Sequence, residues 1–119
     1  MEFNSDYKYD LRIGIAKEHE LAMILGDKCV EVKYDRYDND RFFIEYKFDD
    51  GTNTYPTGIS TTQAEYYALS KEHYYLIISV ERLKEIVRAY AKSFKPVKGG
   101  DSNTAIGYLI PVSTLTTKV

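Results

Sequence analysis

The strictest constraint in this chain is a run of seven residues, Cys29-Val30-Glu31-Val32-Lys33-Tyr34-Asp35, in which apolar and charged side chains alternate. A period of two is the signature of a β-strand. It puts Val30, Val32 and Tyr34 on one face, to be fixed against a core, and Glu31, Lys33 and Asp35 on the other. An acid, a base and a second acid then project side by side from one anchored backbone. Such a row is either a solvated strand face or a site for metal and phosphate, and the rest of the chain must decide.

At 119 residues the expectation is a single domain, 1–119, with a real core and no room for a second. Residues 1–9 are polar and read as frayed. No apolar run reaches the length of a membrane span, so no membrane role is expected. Met1-Glu2-Phe3-Asn4-Ser5-Asp6 lacks the basic-then-apolar layout of a signal peptide. Cys29 is the only cysteine, which excludes an intramolecular disulfide and a cysteine zinc site. A cytoplasmic protein is expected. The net charge of −2 argues against coating nucleic acid by bulk electrostatics, but not against an enzyme that grips a few phosphates locally. The 12 tyrosines include the doublets Tyr66-Tyr67 and Tyr74-Tyr75, which read as buried rings with wet hydroxyls.

From Asp10 as N-cap, Leu11 to Leu25 has helical spacing of apolar residues, and Gly26-Asp27 closes it. Glu18, His19 and Glu20 lie on this helix, and His19 reads as surface decoration. After the strand at 28–35 comes a turn, Asp35 to Asp40, and a second strand, Arg41 to Phe48. Asp49-Asp50-Gly51-Thr52 is a hairpin signal. A third strand runs through Tyr55 to Ile59, with Pro56 marking an edge position. These three strands are expected to form an antiparallel meander. Ser60-Thr61-Thr62-Gln63 has the S-x-x-Q form of a capping box and predicts a helix start, whose free N–H groups suit a phosphate.

Tyr74 to Ser79 is a nearly continuous apolar run and predicts a buried strand. Ser79 caps a helix from Val80 to about Phe94, with Leu83, Ile86, Val87, Tyr90 and Ala91 inward. Arg82, Lys84, Arg88, Lys92, Lys95 and Lys98 line its outer face and tail, either as a solvated face or as a strip for a phosphate backbone. Ala105 to Pro111 is a last strand. The order α-β-β-β-α-β-α-β describes an α/β protein, a mixed sheet flanked by helices.

Glu31-Val32-Lys33 has the E-x-K form of the PD-(D/E)xK nuclease superfamily, and Glu45-Tyr46-Lys47 matches the same form. The element order just read is also that of the restriction-endonuclease-like core. More closely, the chain resembles small phage-encoded members of that superfamily. The resemblance lies in Val30 to Arg36, Phe43-Ile44-Glu45-Tyr46, Thr57 to Tyr67 and Gly107-Tyr108-Leu109-Ile110-Pro111. Of the two E-x-K matches, Glu31 and Lys33 agree better with that pattern, because the residue at Lys47 looks variable in such proteins.

The resemblance implies a DNA endonuclease that uses Mg²⁺ or Mn²⁺ and an activated water. Hard oxygen ligands hold such an ion, which lowers the pKa of a bound water. Glu31 and the backbone carbonyl of Val32 would be ligands, and Lys33 would orient the water or neutralise the phosphate. A salt bridge between Lys33 and its acidic neighbours is the plainer alternative. The superfamily's upstream acid has no counterpart on a neighbouring strand. Asp27 is the nearest candidate, with turn chemistry beside Gly26 as its other explanation. Glu18 fits the helix-borne glutamate of some members better than Glu20, and Asp35 stands in reserve as a ligand. Gln63, with Ser60 and Thr61, would meet a phosphate, unless Gln63 merely completes the capping box.

DNA is the expected partner, with RNA a lesser possibility. A homodimer fits a domain offering so little surface for reading DNA. The alternative of a different class is a catalytically silent nuclease-fold module that binds a protein or DNA partner. A missing upstream acid is how such a module would look.

Overall fold

The computed structural model describes residues 11–14, 26, 28–100 and 102–117. It is an α/β structure with eight strands in two sheets, one mixed and one antiparallel, and two helices among the described residues. The chain gathers into two compact units, Met1–Asn39 with Ala64–Arg82, and Asp40–Gln63 with Leu83–Val119.

The first unit holds a mixed sheet in the order β1-β6-β5-β2. Its strands are β1 (Leu11–Gly14), β2 (Val30–Tyr34), β5 (Tyr66–Ser70) and β6 (Tyr75–Ser79). As its continuous apolar run predicts, β6 is central, with Leu76, Ile77 and Ile78 all buried. It pairs antiparallel with β5 from Tyr66↔Ser79 to Ser70↔Tyr75. A Lys71 N–H donated to the Tyr74 carbonyl closes that hairpin at 2.9 Å. On the far side of β5, β2 runs parallel from Val30↔Tyr66 to Tyr34↔Ser70 and forms the sheet edge.

The second unit holds an antiparallel sheet in the order β4-β3-β8-β7. Here β3 is Arg41–Asp49, β4 Thr54–Pro56, β7 Val97–Gly99 and β8 Ala105–Pro111. Phe42 and Ile44 of β3 pair with Ile110 and Tyr108 of β8, and all four are buried. Helix α1 (Val80–Ala91) buries Leu83, Ile86 and Val87. A four-residue helix, α2 (Val112–Leu115), follows β8.

Three expectations are corrected. Leu11–Gly14, read as the start of a helix, is strand β1, paired antiparallel with β6. Gly14 and β-branched Ile13 make a poor first helical turn, and the β6 edge offers them a ladder. Residues 15–25 lie outside the described residues.

The capped helix from Ser60 is instead a 3-10 turn, Gly58–Ser60, followed by strand β5. Ser60 Oγ donates to the Tyr46 carbonyl at 2.7 Å rather than capping a helix. A cap is worth about 1 kcal/mol. It is outweighed by a tyrosine-rich segment that can pair on both edges.

The expected three-strand meander holds only for β3 and β4, which pair antiparallel from Lys47↔Pro56 to Asp49↔Thr54, with Pro56 at the sheet edge as read. The third strand is shorter than expected, Thr54–Pro56 in place of Tyr55 to Ile59. Strand β2 pairs elsewhere because the turn after it is held within its own unit, by contacts described next.

Candidate functional site

Strand β2 delivers Glu31 and Lys33 to one face, as their spacing requires. Lys33 Nζ lies 2.6 Å from Glu31 Oε2, with the two side chains 46% and 37% exposed. The parallel register sets Glu31 beside Tyr67 and Lys33 beside Leu69. Lys33 Nζ also stands 5.9 Å from the centre of the Tyr67 ring.

The charged face is therefore the one shared with buried Tyr67 and Leu69. The opposite face meets the core only at its start, where Val30 packs against the buried Ala68 and Ile77 as expected. Val32 and Tyr34, read as core-facing, are 51% and 63% exposed. β2 is the outermost strand of its sheet, so its residues past Val30 have a neighbouring strand on one flank only.

The backbone of β2 is oriented by its ladder. The Cys29 carbonyl accepts from the N–H groups of Glu65 and Tyr66 at 2.8 and 3.1 Å, and the Asp35 N–H donates to the Ser70 carbonyl at 2.8 Å. Odd-numbered residues thus turn their peptide groups toward β5. By the alternation of a strand, the N–H and C=O of Val32 point away from β5, toward the sheet edge. A hard carbonyl oxygen is thereby presented next to the Glu31–Lys33 pair.

Asp35, the reserve ligand, is engaged by a residue that the sequence did not single out. Lys71 is buried, and its Nζ lies 3.2 Å from Asp35 Oδ1. The same ammonium donates to the Tyr37 carbonyl at 2.9 Å and to Asn39 Oδ1 at 3.0 Å. Three acceptors meet the three donors of one ammonium, which is what burying a lysine requires. Asp35 Oδ1 also accepts the Tyr37 N–H at 3.0 Å, an Asx-type turn. Asp35 therefore fastens the end of β2 to the β5–β6 hairpin. No local signal marks Lys71, since a lysine at a hairpin mouth reads as solvated.

The second E-x-K match is broken by a bulge. Glu45 pairs with Gly107, but Lys47 pairs with Ile106, so the register shifts between them. Lys47 falls on the face of Ile106, Tyr108 and Ile44, and Glu45 on the opposite face. Gly107 permits this close approach, because a Cβ there would strike the Ile44 carbonyl.

Ser60, Thr61 and Gln63 belong to the second unit, and Ser60 and Gln63 are exposed. None of them begins a helix, so the expected phosphate cradle of free N–H groups is not formed. Thr61 donates its N–H to the Gly58 carbonyl at 3.1 Å. Glu18 and Asp27 lie outside the described residues, as do His19 and Glu20.

Mg²⁺ accepts one or two carboxylates, carbonyl oxygen and retained water. The Glu31 carboxylate and the outward Val32 carbonyl fit that demand in kind. Among the described residues no three histidine, cysteine or carboxylate side chains converge.

No protein-family model, no curated protein and no solved structure matches the chain. None of the described helices is long and apolar enough to cross a membrane.

Proposed function

We propose that the chain is a divalent-metal-dependent DNA endonuclease with a restriction-endonuclease-like arrangement around β2. The observation that carries this reading is the geometry of Glu31-Val32-Lys33. A carboxylate and an ammonium touch on one sheet face, and the carbonyl between them turns to the sheet edge. The competing pair, Glu45 and Lys47, is divided between the two faces of its sheet. The strand-first order of the described elements departs from the superfamily's meander, so the reading rests on the site and not on topology.

Glu31 and the Val32 carbonyl would hold Mg²⁺ or Mn²⁺, with Asp27 or Glu18 as the further acid. The ion, when bound, supplies a water of lowered pKa and relief of charge on the phosphate. Lys33 releases Glu31 and faces the phosphate or the attacking water. The water oxygen bonds to phosphorus as the P–O ester bond breaks, and the leaving oxygen takes up a proton. No covalent enzyme intermediate forms. Lys71 and Asp35 hold the end of β2 so that Lys33 keeps its place relative to Glu31.

The second reading, a silent nuclease-fold module, is favoured by the Glu31–Lys33 contact itself, which neutralises the principal ligand. The two readings part on metal. Cleavage of duplex, nicked, branched and single-stranded DNA and of RNA is measured with Mg²⁺ and Mn²⁺, for wild type, Glu31→Ala and Lys33→Ala. The enzyme reading expects cleavage by wild type only. Activity in neither wild type nor variants leaves the silent module.

A further inference from the structure

Within an acidic protein, the end of α1 and the stretch after it are concentrated in positive charge. Between Arg88 and Lys98 the chain has four cations, Arg88, Lys92, Lys95 and Lys98, and no acid, against a net charge of −2 overall. All four are exposed, and none is paired with a carboxylate among the described residues.

They lie on the end of α1, the segment after it and β7, all within the second unit. Arg88 lies in the last turn of α1 and Lys92 just past it. The N–H groups of Ser93 and Phe94 return to the Tyr90 carbonyl at 3.1 and 3.0 Å, which folds the tail back on the helix end. Tyr90 stacks on Phe94 at 4.2 Å, meets Tyr108 edge-on at 6.0 Å, and donates its hydroxyl to the Leu109 carbonyl. Helix α1 therefore covers the sheet face that carries Tyr108. Lys98 of β7 pairs with Ile106 and lies on that same face. The cations are thus mounted on an ordered segment, which lowers the entropic cost of engaging a partner.

Cations at a helix C-terminus also complement its dipole, but that effect fades within the last turn. It accounts for Arg88 and Lys92, and leaves Lys95 and Lys98 unexplained. The apolar side of α1 is buried through Leu83, Ile86 and Val87, so the helix has no free face to insert into a lipid surface. Four exposed cations with a single exposed aromatic among them, Phe94, suit a line of phosphates better than stacked single-stranded bases.

We infer that this basic end of α1, with β7, contacts the phosphate backbone of duplex DNA. The inference rests on the nuclease reading for its choice of DNA as partner. Affinity for a short duplex is measured by anisotropy across a salt series in EDTA, where metal-assisted cleavage cannot intervene. Wild type is compared with the triple variant Arg88→Gln, Lys92→Gln, Lys95→Gln, and with Arg88→Lys. Circular dichroism checks that each is folded. The triple variant is expected to bind more weakly on every sequence, with a log–log salt slope shallower by about 0.9 for each phosphate no longer neutralised. Arg88→Lys is expected to bind like wild type. An unchanged slope in the folded triple variant overturns the inference, as does wild type that prefers single strands or RNA, or that binds no duplex. Duplex binding that depends on these residues, without cleavage under Mg²⁺, upholds this surface and sinks the nuclease reading instead.

Discussion

Lys71 Nζ sits 3.2 Å from Asp35 Oδ1, and the two side chains are only 6% and 14% exposed. This is a buried, directed ion pair, unlike the half-exposed contact of Glu31 with Lys33 in the same sheet. Removing one partner leaves an uncompensated buried charge, which costs far more than the pair's net worth. Lys71→Met is expected to lower unfolding free energy by about 3 kcal/mol. Urea denaturation of Lys71→Met, Asp35→Ala and the double variant checks this. The double variant should lose less than the sum of the singles.

The Glu31–Lys33 contact predicts opposite effects on metal binding and on cleavage. Exposed pairs contribute little stability, so Lys33→Met should leave the folded state within about 0.5 kcal/mol of wild type. It removes the neighbouring ammonium from the Glu31 carboxylate, so Mn²⁺ affinity should rise while cleavage falls at least about a hundredfold. Glu31→Gln should lose both. Isothermal titration with Mn²⁺, run beside a cleavage assay, separates the two effects. Equal loss of metal affinity in both variants would count against Glu31 as the ligand.

Gly58 adopts φ +55° and lies against the Glu45 backbone, where a Cβ would collide with the carbonyl. Gly58→Ala is expected to destabilise by about 2 kcal/mol or more, from strain and displacement together. Thermal unfolding measures this. Gly51, also at positive φ (+91°) but with open space around its Cβ position, should be more tolerant.

The phenol of Tyr108 is raised above its ordinary pKa of about 10, first by burial and then by the neighbouring Tyr46. A raised folded-state value means that the folded form holds its proton more tightly. The stability this contributes is fully present below pH about 10 and is lost as pH climbs through the folded value. Wild type should therefore lose more stability than Tyr108→Phe between pH 9 and the alkaline limit, as urea midpoints at each pH will show. Parallel curves would mean that Tyr108 does not titrate differently on folding.

Strands β2, β3, β6 and β8 and helix α1 were legible in the sequence because each carries its own pattern, alternation, a closed apolar run or helical spacing. Strands β1 and β5 were not. Their state is decided by pairing with β6 and β2, partners that local propensity cannot reveal. At β5 a capping-box match pointed the other way and was overridden. The site divides in the same manner. That Glu31 and Lys33 share a face follows from strand periodicity, but that β2 is an edge, with Val32 and Tyr34 exposed, does not. The engagement of Asp35 by Lys71 joins distant stretches and leaves no trace in either. The bulge that splits Glu45 from Lys47 depends on Gly107 across the ladder.

Glu31 and Lys33 are proposed to act as a pair, and one comparison addresses that directly. Phosphodiester cleavage of a DNA panel in Mg²⁺ is measured for wild type, Glu31→Ala and Lys33→Ala, with Glu45→Ala and Lys47→Ala as matched controls. The expected result is cleavage by wild type and both controls, and none by Glu31→Ala or Lys33→Ala. Activity surviving in Glu31→Ala and Lys33→Ala, or abolished only in the controls, would contradict it.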